Sequence, residues 1–83
     1  MYKVLFSQKA EKQLDKLERK TAERVTLTLE RIIIRPQAYV KRLVGCPYYS
    51  LRVGDYRLFV DYYEGKDHLI IRAIRHRKDA YKR

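Results

Sequence analysis

Cysteine, proline and glycine are scarce in this chain, with one, two and three residues respectively among 83. A single cysteine, Cys46, closes no disulfide within the chain. With only two histidines beside it, Cys46 fits no usual zinc spacing. His68 and His76 are expected on one face of one strand, about 26 Å apart at the strand rise, too far to share a metal. Cys46 reads as a small residue at a Gly45-Cys46-Pro47 bend. Three glycines make no phosphate-cradling loop, Ser7 and Ser50 sit in no nucleophile elbow, and no paired carboxylates indicate a metal-dependent nuclease. Long apolar runs are also missing: nothing approaches the ~20 residues of a membrane span, and the stretch from Met1 to Ser7 lacks the apolar core of a signal peptide. The expectation is a soluble, cytoplasmic protein with no metal, no cofactor and no membrane contact.

Acid is the other shortage. Ten Asp and Glu against twenty Lys and Arg leave a formal charge of +10. Such a field draws in phosphates and opposes self-association. Charge alone fits DNA, RNA, the ribosome, an anionic membrane or an acidic protein, and equally a merely solvated basic surface. The 46% apolar content is that of an ordinary globular chain, and the length allows one domain, residues 1–83.

The pattern predicts an α+β order. Tyr2 to Phe6 is rich in strand formers. Ser7 is a helix cap for a segment running to about Arg19, with Ala10, Leu14 and Leu17 on one side. Thr21 is a candidate cap for a second helix with the stripe Ala22, Val25, Leu29, Ile32 and Ile33, stopped by Pro36. The short link near Lys20 makes the pair a helical hairpin. Lys9, Lys12, Lys16, Arg19 and Lys20 give it a basic outer face. From Tyr48 the period becomes two, broken by Gly54-Asp55 and by Glu64-Gly65-Lys66-Asp67, which predicts a three-stranded antiparallel meander ending near Arg75. One small sheet packed on two helices is the expected fold.

Two clusters point to chemistry. If Gly54 and Asp55 form the loop, Val53 faces Tyr56 and Arg52 faces Arg57, setting two guanidiniums opposite each other. A bound phosphate would relieve that repulsion, since the planar fork of arginine matches its oxygens. Tyr48 and Phe59 would share the face and offer surfaces on which bases stack. The plainer alternative is that Asp61 or another carboxylate neutralises the arginines. The second cluster is the closing run from Arg75 to Arg83, with Arg77, Lys78 and Tyr81 around His76. Metal-free RNA cleavage needs a base, an acid and cations for the phosphorane, and histidine transfers protons at neutral pH. A basic tail with no such role is the alternative.

The stretch Lys41-Arg42-Leu43-Val44-Gly45-Cys46-Pro47-Tyr48-Tyr49-Ser50-Leu51-Arg52-Val53-Gly54-Asp55-Tyr56-Arg57-Leu58 resembles the central block of RelE toxins, and Ile74-Arg75-His76-Arg77-Lys78-Asp79-Ala80-Tyr81 resembles their ending. With the opening strand and helical hairpin, the resemblance to the RelE/ParE superfamily spans nearly the whole chain. It implies a RelE-like fold and a toxin held by a RelB-like antitoxin. It also implies cleavage of mRNA in the ribosomal A site through the 2′-hydroxyl, without metal. Arg57 matches the family's transition-state arginine, Arg75 a second phosphate-binding arginine, Tyr81 the tyrosine that positions substrate, and His76 a proton-transfer residue. Lys41, Arg42, Arg52, Arg77, Lys78 and Tyr48 are the further RNA- or phosphate-binding candidates. Some relatives carry lysines where Tyr48 and Ser50 stand here, which leaves His76 as the first choice of base, with Lys41 or Arg52 supplying charge. ParE-type relatives instead poison DNA gyrase, and a non-catalytic basic nucleic-acid-binding or repressor module is a third reading.

Overall fold

The computed structural model describes residues 2–43, 45, 48–62, 65 and 67–80. Cys46 and Pro47 of the expected bend, Glu64 and Lys66 of the second turn, and Tyr81 lie outside the described residues.

Strand β1 (Lys3–Phe6) leads into α1 (Gln8–Asp15). Ser7 caps this helix as expected, its Oγ accepting from the Ala10 N–H at 3.1 Å. The helix ends earlier than the sequence predicts. The N–H groups of Lys16 and Leu17 bond back to Gln13 and Leu14, tightening the last turn, and α2 (Arg19–Ile32) starts with Glu18 as its N-cap. Thr21 is therefore inside α2, and the link is Lys16 to Glu18. Residues 16–20 read Lys-Leu-Glu-Arg-Lys, good helix formers with no Gly or Pro, so nothing local marks the break. Packing makes it: Ala10, Val25, Leu29 and Ile32 join one buried cluster, with Leu14 and Leu17 packed against it, which one straight helix cannot achieve. Leu14 is only half-buried, so Leu14→Ala is expected to cost about 1–2 kcal/mol, below the usual range for a fully buried leucine, read as a shift in urea midpoint at unchanged slope.

Helix α2 stops at Ile32, before the proline. Arg35 takes an extended φ of −145° and Pro36 opens a short 3-10 helix, Pro36–Ala38. Then come β2 (Lys41–Arg42), β3 (Tyr49–Val53), β4 (Tyr56–Tyr62), β5 (His68–His76) and a short α3 (Arg77–Ala80). The sheet has five strands in the order β1-β5-β4-β3-β2. The meander β3-β4-β5 is as expected, β1 joins it parallel to β5, and β2 is an additional edge strand too short to show a period.

Both helices pack on the face formed by Leu51, Val53, Leu58, Val60, Leu69, Ile71 and Ile74, all buried. Where β1 ends, α1 completes the edge of β5. The Ser7 Oγ donates to the Arg72 carbonyl at 2.9 Å, and the Gln13 Oε1 accepts from the Ile74 N–H at 2.7 Å. Backbone groups that would otherwise be left without a strand are thus satisfied. No helix among the described residues is long and apolar enough to cross a membrane.

Candidate functional site

The hairpin register is the one the turn predicts: Val53 opposite Tyr56, Arg52 opposite Arg57, Leu51 opposite Leu58. Gly54 sits at φ +59° in the turn, and a Cβ there would lie 3.1 Å from the Arg24 Nη1, so both the backbone and the neighbouring helix favour glycine.

One feature of β5 decides which residues share the arginine face. Phe59 pairs with Ala73 but Val60 pairs with Ile71, so Arg72 is the extra residue of a β-bulge. Before the bulge Leu69 and Ile71 turn to the helices; after it Ile74 does. In an unbroken strand Arg75 would share the face of Ile71. The bulge instead sets Arg75 opposite Arg57, on the face away from the helices. It also corrects the expectation for the histidines: His68 and His76 fall on opposite faces. Asp61 is buried and holds the bulge through an ion pair with the Arg72 Nε at 2.5 Å.

The result is a row of three arginines, Arg52, Arg57 and Arg75, side by side on adjacent strands. Strands are spaced at about 4.8 Å, so the row spans about 10 Å. Arg52 and Arg75 are exposed and Arg57 is half-buried. The next rung carries Lys41, Ser50, Phe59 and Ala73 on the same face, which puts an aromatic ring and an ammonium beside the guanidiniums. Asp61, the carboxylate named in the plainer alternative, is four residues along β4 from Arg57, about 13 Å at the strand rise, and its Oδ2 meets Arg72. Among the described residues no carboxylate forms an ion pair with Arg52 or Arg75.

The other candidates are distributed around this row. Arg42 pairs with Tyr49 and so takes the opposite face from Lys41. Tyr48 is half-buried and precedes β3, about 13 Å along the strand from Arg52. Arg77 and Lys78 are exposed on α3, which is anchored to the hairpin turn by the Arg77 N–H donating to the Asp55 carbonyl at 2.7 Å. His76 shares the face of Tyr56, its ring edge-on to the tyrosine with centroids 5.1 Å apart. Its Nδ1 accepts from the Lys78 N–H at 3.2 Å. With Nδ1 occupied as an acceptor, Nε2 carries the proton of the neutral ring and is a donor. The structure therefore groups Arg52, Arg57, Arg75, Lys41 and Phe59, and separates Arg42 and His76 from them. At the far end of β5, Asp67 is held below the ordinary aspartate value, chiefly by its hydrogen bond with His68.

The bulge had one signal in the sequence. Alternation through Leu69 and Ile71 breaks at the adjacent pair Ala73-Ile74, both buried.

Fold and site together define a small, strongly basic α+β protein whose helix-free sheet face carries a cationic row. The model of the ParE toxin of type II toxin–antitoxin systems, parDE, matches residues 4–81, and the chain belongs to this family, within the RelE/ParE superfamily. Among solved structures it is similar to a chain of the E. coli RelBE toxin–antitoxin complex, at 25% identity and a TM-score of 0.72, covering 89% of this chain and 94% of that one. A chain of the Methanococcus jannaschii RelB–RelE complex gives 26% identity and a TM-score of 0.71, covering 94% and 95%. The fold is also that of the Mycobacterium tuberculosis RelBE2 complex, at 24% identity and a TM-score of 0.78, covering 90% and 96%. Comparison with curated proteins found no match.

Proposed function

We propose that this toxin is a ribosome-dependent endoribonuclease that cuts mRNA in the A site and is held inactive by a RelB-like antitoxin. The observation that carries the reading is the row Arg52–Arg57–Arg75 with Phe59 beside it. Attack by a 2′-hydroxyl on the adjacent phosphorus breaks the bond to the 5′-oxygen and leaves a 2′,3′-cyclic phosphate. Negative charge builds on the phosphoryl oxygens on the way. Fixed guanidiniums aimed at that charge lower the barrier without a metal, while Phe59 offers a base a surface to stack on. Arginine stays protonated at neutral pH, so the row stabilises charge and does not move protons. Similarity to toxin chains solved with RelB antitoxins supports the antitoxin partner; the ribosome and mRNA follow from the ribonuclease reading. Lys41 and the α3 cations are then the groups that hold substrate around the row, and Tyr81 has the substrate-positioning role that the resemblance implies.

His76 lies on the opposite face with its Nδ1 bonded to the Lys78 amide, a helix-capping arrangement. His76→Gln is accordingly expected to slow cleavage less than tenfold. A loss beyond about a hundredfold, the scale of general acid–base catalysis, would put His76 in the proton path.

The test is cell-free translation with purified protein, followed by mapping of message ends. Discrete cuts that require ribosomes support the proposal. Intact message in an extract that still translates removes it. The description of the matching family as ParE favours gyrase as the second reading, so a supercoiling assay follows that outcome.

A further inference from the structure

Arg72 is the extra residue of the β5 bulge, and a bulge re-aims the side chain it carries. Asp61 follows Arg57 and Phe59 on the helix-free side of β4, since alternate residues of a strand share a face. Its side chain is 8% exposed and accepts from the Arg72 Nε, whereas the Arg72 side chain is 46% exposed. The ion pair thus draws the Arg72 guanidinium onto the face of the arginine row. Arg72 lies three residues along β5 from Arg75, about 10 Å at the strand rise. Between them on that face stands the small side chain of Ala73, with Phe59 opposite it on β4.

The bulge has support besides this pair. Without the extra residue, the buried Ile74 would turn to the open face and Arg75 toward the helices, so apolar burial alone favours it. The Ser7 Oγ also holds the Arg72 carbonyl. A buried carboxylate carries a desolvation cost that one ion pair offsets only with good geometry. What Asp61 adds is a guanidinium fixed in one place. It also cancels the charge. Arg52 and Arg75 meet no carboxylate among the described residues and present their full charge to a phosphate. The Asp61–Arg72 unit is neutral, so its pull on a phosphate is weak, while the half-exposed fork keeps its directed donors. Directed donors without net charge match an uncharged acceptor edge. In RNA that edge belongs to a base, and the N7 and O6 atoms of guanine are the two acceptors a guanidinium meets together. Adenine offers N7 but sets an amino donor beside it.

We propose that Arg72, positioned by Asp61, reads the N7/O6 edge of a guanine that stacks on Phe59 over Ala73, next to the phosphate held by the arginine row. The inference rests on the ribonuclease reading and names the base that the same face selects. Arg72 is then a specificity residue and Asp61 its positioning residue.

The test is single-turnover cleavage on ribosomes programmed with messages in which each position of the A-site codon carries, in turn, guanosine, inosine, 7-deazaguanosine or adenosine. At one position beside the cut, guanosine and inosine are expected to be cleaved at least about tenfold faster than the other two. Inosine keeps N7 and O6, 7-deazaguanosine lacks N7, and adenosine lacks O6. Arg72→Lys keeps a cation against Asp61 and loses the planar fork. Its melting temperature is expected to be unchanged and its guanosine-to-adenosine ratio to fall below about twofold. Asp61→Asn removes the charge that orients the fork and is expected to lower the same ratio severalfold. Equal rates for guanosine and 7-deazaguanosine at every position, or an undiminished ratio in either folded variant, overturn the subsite and leave the ribonuclease reading standing. Loss of fold in Arg72→Lys overturns it too, because the pair would then serve stability. Intact message in every wild-type reaction overturns both.

Discussion

Arg57→Ala is expected to leave a folded protein whose cleavage of translated message falls by about a hundred- to a thousandfold, the cost of removing one preorganised donor from a transition state. Arg57 is the middle member of the row, with Arg52 opposite on one side and Arg75 on the other. It is the only one of the three that is half-buried, so its guanidinium is the most restrained and the most shielded from water. Both properties raise the worth of a fixed charge against a developing one. Loss of fold is a poor explanation for such a result in advance, because Arg57 lies on the sheet face away from the helix-packed core. The melting temperature should change little. Arg57→Lys separates charge from shape: it keeps the cation and loses the planar fork, and an intermediate rate is expected. The measurement is single-turnover cleavage on programmed ribosomes, with thermal melts of the same preparations. Wild-type rates in Arg57→Ala would sink the assignment of the row. So would an unfolded variant, because site and core are assigned to different faces of the sheet.

Arg52→Ala and Arg75→Ala place smaller demands on the same idea. Their side chains are exposed, so each is expected to act more through substrate affinity than through rate, and to reduce the salt dependence of binding.

The row was half legible in the sequence. Gly54-Asp55 fixes the register of a two-residue hairpin, and once that turn is located Arg52 must oppose Arg57. The rule is local and survives folding. Arg75 obeys a rule that is not local. Plain alternation from Leu69 and Ile71 carries Arg75 to the helix side and His76 to the open side, and the bulge at Arg72 reverses both. That bulge is held by Asp61 and by Ser7, which are 11 and 65 residues from Arg72 in the chain. A reading along one strand does not reach such partners. The resemblance to RelE toxins named Arg57, Arg75 and His76 together, but the geometry unites only the first two.

Edges and links were hidden for a different reason. Two residues, Lys41 and Arg42, form β2, below any detectable period, and their pairing is visible only once β3 is in position. The break between the helices falls in a run of helix formers, and tertiary packing selects it. Ser7, Pro36 and the apolar stripe of α2 were legible because each acts within a turn or two of its own position: a cap, a restriction on the preceding residue, a period of 3.6.

Leu58→Ala is the companion to Arg57→Ala, one residue along the same strand with the opposite expected outcome. Leu58 has 0% exposure and sits in β4, the central strand of the five. Its side chain meets the helices where that of Arg57 meets the other face. Truncation removes a fully buried isobutyl group and leaves a cavity between packed layers, at a cost of about 3–5 kcal/mol. A domain of this length is stable by only about 4–12 kcal/mol in all, so the loss takes a large share. It should lower the melting temperature by roughly 12–40 °C, taking about 4–8 °C per kcal/mol for a domain of this size. At a temperature where the variant is still folded, its cleavage rate should stay within a few-fold of wild type, because the backbone of β4 is held by β3 and β5 on either side. Differential scanning calorimetry and cleavage at low temperature on one preparation give both numbers. A stable but inactive Leu58→Ala would mean that the helix-packed face takes part in the chemistry. A destabilised but active one, set against a stable and inactive Arg57→Ala, would divide the strand as proposed, with the core on one face and the chemistry on the other.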